Sequence, residues 1–167
     1  MSEGTSMYLE NLDAKTVSEA LQHDPIVTAN EDLEAALRPI VDSAAARGIE
    51  DLKVIIVDKD PMGTTDLRNF ANEVVAEDGG TVIVRAPFSV SAASDEIPQA
   101  ALEQAGFAMM EDYPERYPQG FDAFIDIAGD WTVPWVNYSL AVGGGIVVVF
   151  AALIAFWWIR SHRGNRS

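Results

Sequence analysis

The sequence contains no cysteine, only two histidines and, up to Asp130, no cluster of basic residues. The missing cysteine excludes disulfides, thiolate metal sites and a cysteine nucleophile. His23 and His162 are each predicted to lie near a helix C-terminus, and no Ser/His/Asp arrangement is indicated. Because phosphate contacts need clustered Lys and Arg, we expect no binding of nucleic acid.

Acidic residues are abundant, but they are confined to one part of the chain. All 26 Asp and Glu residues lie at or before Asp130, together with only eight basic residues, which gives this part a formal charge of −18. Anionic lipid headgroups would repel such a domain. Attachment to a membrane must therefore come from apolar residues.

Residues 138–159 form a run of 22 uncharged residues. As a helix this run would be about 33 Å long, which matches a hydrocarbon core of about 30 Å. Aromatic residues flank it, and basic residues end it, as expected at the two membrane interfaces. The predicted membrane-interface residues are Trp131, Trp135, Trp157, Trp158, Arg160, Arg163 and Arg166. The sequence therefore predicts a single-pass membrane protein.

The distribution of charge around this predicted helix indicates its direction. Three arginines follow it, whereas the nearest basic residue before it is Arg116. Positive-inside counting places residues 160–167 in the cytoplasm and the acidic domain outside. The first 17 residues show neither the basic region nor the apolar region of a signal peptide. A tail-anchored module with a cytoplasmic domain is therefore the alternative.

The acidic part shows alternating helix and strand patterns. A helix is predicted at residues 13–23, and a second begins at an N-cap Asn30 and stops at Gly48, with Pro39 expected to kink or interrupt it. Two β-branched runs predict buried strands, on either side of a helix with a Thr or Asp N-cap. These elements are residues 52–58, 65–76 and 81–85. This order is typical of an α/β layer with adjacent parallel strands.

Beyond Pro87 the sequence pattern changes to alternation. Alternation in FSVSAAS and QAALEQAG favours a hairpin added to the sheet, although residues 100–110 are also compatible with a helix. An amphipathic helix is predicted at residues 120–128.

The succession of helix 30–47, strand VIIVD, helix TDLRNFANEVV, strand GTVIVRA and segment FSVSAAS resembles the TPM domain. The resemblance implies an extracytoplasmic three-layer α/β domain, with a small mixed sheet flanked by helices. The implied organisation is an N-terminal segment 1–25, the domain 26–130, a linker 131–137, a transmembrane helix 138–159 and a basic tail 160–167.

The whole layout, including the entry Pro134-Trp135, is also similar to a family of small actinobacterial membrane proteins. Genes of that family tend to lie beside secreted cell-wall hydrolases. The resemblance implies a role in the cell envelope.

The loop after the first predicted strand is the best candidate for a cation site, because it offers the carboxylates of Asp58, Asp60 and Asp66. The pattern fails as an EF-hand loop, since Met62 occupies the fifth position and Asn69 the twelfth, where a bidentate Glu is needed. The alternative is a solvated loop whose carboxylates cap neighbouring elements.

Some TPM-like proteins are described as phosphatases or metal-binding modules. By that resemblance, Asp58 and Asp60 could join Asp95 and Glu96 in an acidic cluster if their loops converge. No phosphate-binding motif accompanies them.

The interpretation that we favour is a non-enzymatic, membrane-anchored adaptor or regulator without a cofactor. Its acidic domain would bind a protein partner in the cell envelope, such as a peptidoglycan hydrolase. The alternatives are a metal-dependent phosphatase or cation-binding domain, and the tail-anchored cytoplasmic module.

Overall fold

The computed structural model describes residues 12–61 and 63–131. They form five helices, α1 Ala14–Leu21, α2 Glu31–Ser43, α3 Thr64–Asp78, α4 Gln99–Asp112 and α5 Tyr117–Gly129. The four strands are β1 Ile26–Val27, β2 Leu52–Ile56, β3 Thr81–Arg85 and β4 Val90–Ser94. Across these residues no helix combines the length and apolarity needed to span a bilayer. The predicted membrane helix, residues 138–159, lies outside the described residues.

The strands form one mixed sheet in the order β1-β2-β3-β4. The pairs β1/β2 and β2/β3 are parallel, whereas β3 and β4 are antiparallel. The predicted α/β class with a small mixed sheet is therefore confirmed, and β4 is an edge strand of that sheet.

Helices cover both faces of the sheet. On one face, alternate strand residues such as Val54 and Ile83 pack against α2, α4 and α5, whose buried residues include Leu37, Phe121 and Phe124. On the other face, Ile55, Val82 and Val84 pack against α1 and α3. Since Val17 and Leu21 of α1 belong to this second core, α1 is an integral part of the packed domain.

Side chains cap the N-termini of two helices, α1 and α2. Asn30 caps α2 by accepting a hydrogen bond from the Leu33 N–H, as predicted. The α2 helix continues through Pro39, so Pro39 does not interrupt it, and the alternative of a kink stays a prediction. The predicted Thr or Asp cap of α3 is wrong, because its N-cap is Gly63 and no side chain bonds there.

The predicted hairpin is only half correct. FSVSAAS does contain a strand, β4, but its antiparallel partner is the preceding strand β3. QAALEQAG belongs to α4, so the helical alternative is the correct one.

A close contact of two glycines holds the end of α5. Gly48 adopts a left-handed conformation with φ of 94° after the 3-10 turn Ala45–Arg47. A Cβ at Gly129 would lie 1.9 Å from the Arg47 carbonyl oxygen, and one at Gly48 would lie 2.6 Å from the Gly129 carbonyl oxygen. Only glycine permits this approach.

Candidate functional site

A groove runs along the outer edge of the sheet, between α3 and α4. Its volume is about 440 Å³. We call it the edge groove. Its main lining is residues 89–92, Arg68 of α3, and Glu103, Gly106, Phe107 and Met110 of α4. The groove therefore combines strand backbone with small, apolar and charged side chains.

Two large apolar side chains lie in solvent at this edge. Phe107 is 67% exposed and lines the groove, and Phe88, in the turn before β4, is 85% exposed. Large apolar side chains left in solvent beside a groove favour a surface for binding other molecules. The edge groove is therefore the best candidate for a functional surface among the described residues.

An ion pair joins the two helices that flank the groove. Arg68 of α3 donates to Glu103 of α4, and their side chains are 46% and 59% exposed. Exposed pairs of this kind contribute little to stability because water screens them. The pair can open at small cost.

Asp60 and Asp66, two of the three residues predicted to bind a cation, lie beside the start of β4 and in the first turn of α3, respectively. The carboxylate of Asp60 accepts hydrogen bonds from the Phe88 N–H, at 3.0 and 3.1 Å, and from the Ser89 hydroxyl, at 2.5 Å. Asp60 thereby ties the loop after β2 to the start of β4. Asp66 lies in the first turn of α3, where a negative charge is favourable.

Asp58 follows β2 and lines a second cavity of about 370 Å³, together with Thr28, Asn30 and Tyr117. Within residues 12–61 and 63–131, no group of three or more His, Cys, Asp or Glu is placed to hold a metal ion. The cation site at Asp58, Asp60 and Asp66 stays a prediction.

The larger acidic cluster does not form. Thr81 pairs with Ser94, so Asp95 lies at the end of the sheet where β3 begins, and its carboxylate accepts a hydrogen bond from the Gly80 N–H. Asp60 lies at the opposite end, beside Ser89. The antiparallel direction of β4 separates these loops.

Sequence reasoning missed a buried arginine at the end of β3. Arg85 is 0% exposed, and its guanidinium donates to the Pro114 carbonyl oxygen and the Met110 sulfur, each at 2.7 Å. It also lies over the Tyr117 ring, 4.7 Å from the centroid. Its place in the β-branched run TVIVR indicates a buried strand, but the run does not indicate which groups bind the guanidinium. Arg85 fixes the α4–α5 connection and with it Met110, at one end of the groove.

Other charged contacts stabilise the opposite end of the sheet. The Lys53 ammonium is buried and pairs with Asp51 at 2.9 Å and with Asp78 at 3.0 Å. Burial by itself lowers the pKa of Lys53, but hydrogen bonds to the two carboxylates and their charges outweigh burial and raise it. Lys53 therefore stays charged in the folded domain.

One of the predicted membrane-interface residues can be located. Trp131 is half-buried at the end of the domain, directly after α5 and Asp130. The others lie outside the described residues, namely Trp135, Trp157, Trp158, Arg160, Arg163 and Arg166.

The chain is a member of a family of membrane proteins. Residues 7–167 match the family described as Membrane protein Rv1476, so the chain belongs to that family along nearly its whole length. No curated protein and no solved structure matches the chain.

Proposed function

We propose that this protein is a membrane-anchored, non-enzymatic adaptor or regulator whose acidic α/β domain binds a protein partner through the edge groove. The observation that carries the proposal is the exposure of Phe88 and Phe107 beside an edge strand. Apolar contacts with aromatic anchors are typical of protein interfaces. Membership of a membrane-protein family supports the anchor.

The proposed anchor is the predicted helix of residues 138–159, and the domain is proposed to be of the TPM type. With three arginines after the helix, positive-inside counting favours a domain on the outer side of the cell membrane. The partner that we propose there is a peptidoglycan hydrolase, as the resemblance to the actinobacterial envelope proteins implies.

The binding proposal is tested by affinity purification of the tagged full-length chain with detergent-solubilised envelope. We expect the wild type and a Gln104→Ala variant to retain a cell-wall hydrolase, and a Phe107→Ala variant to lose it. Gln104 is the matched control because it is exposed on the same helix without lining the groove. Retention of no hydrolase, or equal retention by both variants, would count against the proposal.

The orientation is tested by reporter fusions at the N-terminus and after Ser167. We expect an outside-specific reporter to be active only at the N-terminus, and an inside-specific reporter only at Ser167. The reverse result at the N-terminus would support the tail-anchored cytoplasmic module and remove the envelope role.

A further inference from the structure

The hydrogen-bonding pattern of β4 shows which of its backbone groups face outward. The Ala86 N–H donates to the Ser89 carbonyl at 2.8 Å, and the Asp95 N–H donates to the Gly80 carbonyl at 3.3 Å. Since hydrogen-bonded positions alternate along an antiparallel pair, residues 89, 91, 93 and 95 face β3. The N–H and C=O groups of Val90, Ala92 and Ser94 therefore point away from the sheet.

Two of these outward-facing residues lie at the edge groove. Val90 and Ala92 line it, and their backbone N–H groups donate no hydrogen bond within the part of the chain that the structure describes. Unpaired groups on an edge strand are a template for pairing with a further strand. A helix cannot satisfy such a row because its backbone groups are paired internally, whereas an extended segment can.

Charge at the two ends of β4 limits the chemistry of that segment. Asp60 lies against Ser89 at one end, and Asp95 and Glu96 follow directly after β4 at the other. The strand between them has five residues, about 17 Å when extended. A complementary segment would carry Lys or Arg near each end.

The walls of the groove determine which side chains the middle of the segment can carry. Phe107 and Met110 of α4 offer apolar contacts on one side, and a Cβ at Gly106 would lie 3.4 Å from Cγ1 of Val90. Because strand side chains alternate between faces, every second residue of the segment would meet this wall.

We propose that an extended segment of the partner protein binds along β4 as a fifth strand of the sheet. The segment has apolar residues at alternate positions and a basic residue near each end. The Arg68–Glu103 ion pair, which joins the two walls, opens to admit it. This inference rests on the proposed function, since it assumes that the edge groove is the surface that the partner uses.

The test begins with a phage-displayed library of random heptapeptides and the full-length chain in detergent. Peptides are selected for binding to the wild type and against binding to a Gly106→Leu variant, whose added side chain would fill the groove. Gln104→Leu is the matched control on the same helix. We expect the selected peptides to have alternating apolar residues with basic ends, and to bind Gln104→Leu as they bind the wild type.

The decisive measurement needs no change in the protein. A selected peptide is synthesised with one N-methyl group at each position in turn, and its affinity is measured by fluorescence anisotropy. We expect a loss of about tenfold or more at alternate positions, whose N–H groups pair with β4, and less than about threefold at the positions between.

Three outcomes would overturn the inference. They are the absence of any peptide that discriminates the wild type from Gly106→Leu, an equal loss at all N-methylated positions, and selected peptides that are helical when bound. If Phe107→Ala loses the hydrolase while the N-methyl pattern shows no alternation, the proposed function stands and the fifth strand is wrong.

Discussion

Replacing Phe107 by alanine separates binding from folding, because two-thirds of this residue lies in solvent. Full burial of a Phe side chain is worth roughly 1.5–3 kcal/mol. With 67% exposed, about one-third of that value, about 0.5–1 kcal/mol, is realised in the free domain. Alanine is also the better helix former, which offsets part of this loss. We therefore expect the free energy of unfolding to fall by less than about 1 kcal/mol.

The remaining two-thirds of the burial free energy of Phe107 would be gained only when a partner covers the ring. That amount is about 1–2 kcal/mol, which corresponds to a loss of affinity of about 5- to 30-fold in Phe107→Ala. Stability is measured by urea unfolding of the full chain in mild detergent, and affinity by titration with the retained hydrolase. A destabilisation above about 2 kcal/mol would show that Phe107 belongs to the core, and unchanged affinity would refute its role in binding.

Three further predictions test the packing of the domain. Phe121→Ala should destabilise the fold by about 3–5 kcal/mol in urea unfolding, because the side chain is 0% exposed. Phe88→Ala should change stability by less than about 0.5 kcal/mol, because that side chain is 85% exposed. Equal effects of the two substitutions would contradict the assigned core. Lys53 has a raised pKa, so its stabilising contribution is present below its unfolded pKa of about 10.4 and is lost as the pH rises from there through the folded value. The stability difference between the wild type and Lys53→Met should therefore shrink above about pH 10.4, and a difference that grows there would be inconsistent with the ion pairs. Gly129→Ala should cost more than about 2 kcal/mol, since its Cβ would lie 1.9 Å from the Arg47 carbonyl oxygen, and a neutral effect would disprove that contact.

The elements that the sequence predicted well have strong local signals. The β-branched runs in β2 and β3 are buried at every position, and such runs read as strands covered on both faces. Asn30 and Gly48 mark the start of α2 and the turn after it through capping and a left-handed conformation. These signals depend on neighbours in the sequence, so the α/β class follows from them.

The missed features depend on contacts between distant residues. The strand β1 has only two residues and exists because it pairs with β2. In α4, the alternation of QAALEQAG imitates a strand, yet Ala101, Leu102 and Ala105 are all buried in a helix. The edge groove needs β4 at the border of the sheet with α3 and α4 beside it, and no local pattern encodes that arrangement.

The predicted cation site also depends on contacts between residues that are distant in the sequence. The sequence places Asp58 and Asp60 after a strand, where ligands often bind in α/β sheets. It does not show that Asp60 bonds to the Phe88 N–H and the Ser89 hydroxyl. Those contacts are made across the sheet, at a sequence distance of 28 and 29 residues.

The central claim is that the edge groove contacts a protein partner at the outer surface of the membrane, and site-specific photocrosslinking in living cells tests it most directly. A benzophenone amino acid is placed at Phe107 or, as the control, at Gln104. The account predicts an adduct with a cell-wall hydrolase from position 107 alone, and its loss when Gly106→Leu fills the groove. An adduct with a cytoplasmic protein, or one that is equally strong from position 104, would contradict it.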